Sequence, residues 1–135
     1  MGRLVALTVA GILYCWTGLA QTAEPPTLEN APPVVIKTEP QSGQSDIEAG
    51  RREISITFSK PMRDGNWSWS QISKESFPAK AGEPHFLQDQ RTCVLPVLLE
   101  SAKTYAIGLN IPPFQNFQDH EGHKAMPYLL VFRTR

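Results

Sequence analysis

The sequence predicts an all-β sandwich of about seven short antiparallel strands. Three observations point there. Several segments alternate apolar and polar residues with period two, which is how a strand with one buried face reads. No segment sustains the 3.6-residue period of a helix, and residues 72–77 have room for one helical turn at most. Twelve prolines and nine glycines in 135 residues also interrupt the chain too often for a helical bundle.

The strands are expected as follows. Residues 34–38 are β-branched and stop at the Pro40–Gly43 loop. Residues 53–59 alternate strictly, with Ile54, Ile56 and Phe58 on one side, and Pro61 ends them. Residues 66–72 alternate aromatic and polar, so Trp67 and Trp69 share a face. Residues 85–88 form a short strand. Residues 92–99 are strongly apolar, and Pro96 within them implies an edge strand or a bend, because proline cannot donate to a ladder. Residues 104–110 put Tyr105, Ile107 and Leu109 together. Residues 128–134 put Tyr128, Leu130 and Phe132 on one face and Leu129 and Val131 on the other. The expected core is Val34, Ile36, Ile54, Ile56, Phe58, Leu95, Tyr105, Ile107, Leu109, Leu130 and Phe132. Tyr105 follows a turn after Leu99, a placement from which a sandwich tyrosine ties a loop with its hydroxyl.

The first twenty residues read as a secretory signal. Arg3 is their only charge, an apolar stretch runs from Leu4 to Trp16, and Gly18 and Ala20 are small. Cleavage is expected after Ala20 or Ala23. The apolar stretch is short for a membrane span of about 20 residues, so no span is expected in the mature protein, whose location is secreted or periplasmic. Tyr14 is bulky where a lipoprotein signal wants a small residue before Cys15. Residues 21–33 carry Pro25, Pro26, Pro32 and Pro33 and read as a semi-rigid linker. Residues 34–135 form the domain. Cleavage removes Cys15 and leaves Cys93 without an internal partner, as a small buried hydrophobe among Val94, Leu95 and Val97.

Balanced charge, 13 basic against 13 acidic residues, argues against a nucleic-acid binder. There is no Gly-x-Ser-x-Gly elbow and no phosphate loop. Two aromatic groups are candidates for binding. Trp67 and Trp69 either stack on a sugar or partner surface or pack inward. Phe114 and Phe117, in the 112–117 loop, either cover the open end of the sandwich or form a binding edge. A third cluster, Asp119-His120-Glu121-Gly122-His123, would with His85 offer metal ligands, but its spacing fits no zinc pattern. Asp119 and Gly122 are better explained as turn formers. No metal or other cofactor is expected.

The order of motifs resembles the bacterial Ig-like domain family of surface-layer and other surface proteins. The motifs are Pro40-x-Ser42-Gly43, then Ile54-Ser-Ile-Thr-Phe-Ser-Lys-Pro-Met62. Lys103-Thr-Tyr-Ala-Ile107, Asp119-x-x-Gly122 and Val131-Phe-Arg-Thr134 follow. The resemblance covers about residues 33–134. It implies an Ig-like sandwich in an exported bacterial protein, a structural and interaction module with no catalytic residues. A signal and one domain account for the chain, so a pure spacer role is not expected. The expected function is non-catalytic binding of a protein or cell-envelope component. A glycan bound on Trp67 and Trp69 is the alternative, and a metal held by His120, His123 and His85 ranks below it.

Overall fold

A computed structural model describes residues 23–135 continuously, together with Gly2, residues 11–13 and Gly18. Most of the expected signal segment lies outside these described residues. Among the described residues eight strands form two antiparallel sheets. The first sheet holds β1 (Val35–Glu39), β2 (Gly50–Phe58), β4 (Ala79–Lys80), β5 (His85–Phe86) and β6 (Thr92–Leu99). Its order is β1-β2-β6, with β4 and β5 end to end on the far side of β6. The second holds β3 (Trp69–Gln71), β7 (Thr104–Leu109) and β8 (Tyr128–Arg133), with β7 in the middle.

The period-two pattern positions the core. Ile54, Ile56 and Phe58 of β2, Leu95 and Val97 of β6, Tyr105, Ile107 and Leu109 of β7, and Leu130 and Phe132 of β8 are all buried. The inner faces of the two sheets meet through these side chains. Cys93, Leu99, Met62, Phe117 and Ala125 complete the cluster. The Tyr105 ring stacks on Phe132, and its hydroxyl accepts the Glu100 backbone N–H at 2.7 Å. The tyrosine ties the β6–β7 turn as its position implies.

Three expectations need correction. Val34 and Ile36 are 40% and 61% exposed, not core. The β1–β2 register shifts between Val35 and Lys37, and this irregularity breaks the alternation, so that Val35 and Thr38 face inward while Ile36 and Lys37 between them are exposed. Pro96 does not mark an edge strand. It sits in the central strand, opposite Glu53 of β2. On its other side the neighbouring strand is broken, since β4 stops opposite Val97 and β5 starts opposite Val94. The missing N–H of Pro96 falls in that gap, while its carbonyl accepts the Ala81 N–H at 2.9 Å. Gly82 closes over the ring so tightly that a Cβ there would lie 3.1 Å from Pro96 Cγ. The strand expected over 66–72 is confined to Trp69–Gln71, and β4 brings the count to eight.

The proline-rich tract is only partly a linker. Lys60 Nζ donates to the carbonyls of Glu29 at 2.8 Å and Ala31 at 3.0 Å. Pro33 is buried, and its carbonyl accepts the Met126 N–H at 2.8 Å. Residues 29–33 therefore lie on the sandwich.

Candidate functional site

Two groups of side chains compete for a functional role, and the fold treats them differently. The first lies at the seam where β3, an edge of one sheet, faces β4, an edge of the other. A groove of about 360 Å³ opens there. Trp67, Trp69, Gln71, Lys80, Phe114 and Asn116 are among its lining residues. Both indoles are half-buried and pack against the core, so each presents only part of its surface to the groove. The Trp69 ring stands edge-on to Phe117, with centroids 6.1 Å apart. Its Nε1 is buried with no hydrogen-bond partner. Ser68 between them is buried. Its Oγ accepts the Asn116 N–H at 2.8 Å and its carbonyl accepts the Asn110 N–H at 3.0 Å. These two bonds fasten β3 to the 110–117 loop and set the floor of the groove.

That loop divides its phenylalanines. Phe114 is 67% exposed, whereas Phe117 is fully buried. Phe117 packs on Phe58, Trp69 and Phe86 with centroids 5.0, 6.1 and 6.3 Å away. It therefore belongs to the core and drops out of the binding candidates. Buried Asn110 fixes it there: Nδ2 donates to the carbonyls of Phe117 and Ala125, and Oδ1 accepts the Phe117 N–H at 2.9 Å.

The second group centres on Asp119, which is 2% exposed. Its Oδ2 accepts from Lys60 Nζ at 2.6 Å and His123 Nδ1 at 2.8 Å. Its Oδ1 accepts the backbone N–H groups of Glu121 at 3.0 Å and His123 at 2.9 Å. Burial pushes this carboxyl up, but the four donors outweigh it and hold the group well below the usual carboxylate range. Gly122, at φ 91°, completes the turn by donating to the Asp119 carbonyl. Asp119 is a structural hub that joins the 119–123 turn, Lys60 and, through Lys60, residues 29–31. The three histidines diverge. His85 meets the Glu83 carbonyl, His120 meets Gln90 and His123 meets Asp119. Among the described residues no three His, Cys, Asp or Glu side chains gather as a metal site. Cys93 is fully buried. Burial pushes its thiol up to about 12.

A family model described as a bacterial Ig-like domain matches residues 29–134. The chain belongs to the bacterial Ig-like domain family. The match starts at Glu29, where Lys60 first grips the proline-rich tract. Comparison with curated proteins and with solved structures gives no match. Bacterial Ig-like domains are generally non-catalytic structural or interaction modules.

In this bacterial Ig-like domain the seam brings together three of the four aromatic residues singled out from sequence: Trp67, Trp69 and Phe114. Sequence reasoning missed Lys80, because a two-residue strand has no alternation to read. It also missed Gln71 and Asn116 as lining residues. Both adjoin aromatic runs, and that adjacency was the signal available.

Proposed function

We propose that this bacterial Ig-like domain is an exported, non-catalytic interaction module that binds a partner protein through the seam beside β3. One observation carries the reading. Asp119 and Cys93, a buried acid and a buried thiol, are committed to structure, while exposed aromatic surface lines an open groove. Asp119 has its carboxylate filled by four donors, Cys93 is fully buried, and Phe114 is two-thirds exposed beside the half-buried indoles. Enrichment of aromatic residues around a partly desolvated depression is the composition from which protein interfaces draw their affinity. The family membership supports the same class of function, and the apolar first twenty residues support export.

Site-specific photo-crosslinking tests this. A benzophenone amino acid in place of Phe114, in the cells that make the protein, is expected to give a discrete protein adduct. The same group in place of Leu98, exposed on β6 away from the groove, is expected to give none. Absence of an adduct at position 114, or equal adducts at both positions, would count against the reading.

A further inference from the structure

We propose that β3 and its groove take an extended, acidic segment of the partner protein by strand addition. This rests on the interaction-module reading and adds the mode of binding and the chemistry of the segment.

The backbone of β3 is the first ground. The Ser68 carbonyl accepts from Asn110, so Ser70 faces Gly108 in the next hydrogen-bonded pair. Alternation then aims the N–H and C=O of Trp69 and Gln71 away from β7. No described residue bonds those groups. The opposite edge of the same sheet is treated differently. Along β8, the Gly43 N–H donates to Val131, the Arg133 N–H to Gln44 and the Ile47 N–H to Arg133. One edge is covered by a loop and the other is left open, and an open edge is a template for another strand.

The groove supplies the second ground. An added strand would send every second side chain toward Trp67, Trp69 and Phe114. Lys80 is the only charged residue lining the groove, and it has no ion pair among the described residues. An acidic side chain on the incoming strand would complement it. A sugar has no peptide backbone and would not extend the ladder beyond β3. It would also need an exposed indole face, and Trp69 lies edge-on to Phe117 with its N–H buried.

The test uses a display library of nine-residue peptides selected against the immobilised full chain. Enriched peptides are expected to alternate apolar and polar residues and to carry Asp or Glu. N-methylating alternate amides of the best peptide should weaken binding at least tenfold in one register and little in the other. K80E should reduce affinity for the acidic peptide at least fivefold and restore it for the Asp→Lys or Glu→Lys peptide. Gln71→Pro removes one outward N–H and leaves the β7 ladder intact, so it should weaken binding with the fold preserved. The proposal is overturned if no peptide is enriched, if both N-methylated registers bind like the parent, or if uronic-acid oligosaccharides quench tryptophan fluorescence where peptides do not. A protein adduct at position 114 alongside any of these results would remove strand addition and leave the interaction-module reading standing. Loss of both would remove both.

Discussion

Phe117→Ala is expected to lower the unfolding free energy by about 3–5 kcal/mol, the range for deleting a buried phenylalanine ring. Phe114→Ala, three residues earlier, should change it by no more than about 0.5 kcal/mol. The contrast follows from position. Phe117 is enclosed by Phe58, Trp69 and Phe86, and Asn110 holds its backbone in place. The ring of Phe114 stands mostly in water. Urea unfolding of the two variants, followed by circular dichroism, measures both. Equal and small losses would move Phe117 out of the core. Equal and large losses would make Phe114 a structural residue and weaken the case for the groove.

The second large effect belongs to Asp119. Its removal leaves Lys60, whose side chain is 15% exposed, beside an uncompensated site. Breaking one side of such a buried pair costs about 3–5 kcal/mol. Asp119→Ala should fall near the lower end, because Lys60 keeps the carbonyls of Glu29 and Ala31. Replacing Asp119 and Lys60 together by apolar residues should cost less than Asp119→Ala alone. The pH dependence has a definite sign. The folded carboxyl lies below its unfolded value of about 3.9. Its contribution is therefore complete above that value and is lost as pH falls through the folded one. Native protein should lose stability on acidification below about pH 4, and Asp119→Asn should remove that component from the profile. A parallel pair of pH–stability curves would show that Asp119 is not the hub described.

The sequence made the strongly periodic strands legible. In β2, β7 and β8 the inward residues recur at every second position, and all of them are buried except half-buried Tyr128 at the start of β8. It did not show β1 correctly, because one irregularity of register between Val35 and Lys37 breaks the alternation. It could not show that Pro96 is tolerated in a central strand, since the tolerance comes from a break in a neighbour between Lys80 and His85. The site divides in the same way. Trp67, Trp69 and Phe114 were visible as clustered aromatics. Phe114 and Phe117 could not be separated, because the buried Asn110 side chain that holds Phe117 in the core lies seven residues before it, just past the end of β7. Asp119 read correctly as a turn former, but the lysine that makes it a hub is 59 residues away.

Hydrogen exchange on the full chain, alone and bound to the partner captured at position 114, tests the central claim most directly. Protection is predicted at the Trp69 and Gln71 amides and across residues 114–116, with the 119–123 turn and the outer face of β6 unchanged. Protection centred on 119–123, with Trp69 and Gln71 exchanging as in the free protein, would contradict the account.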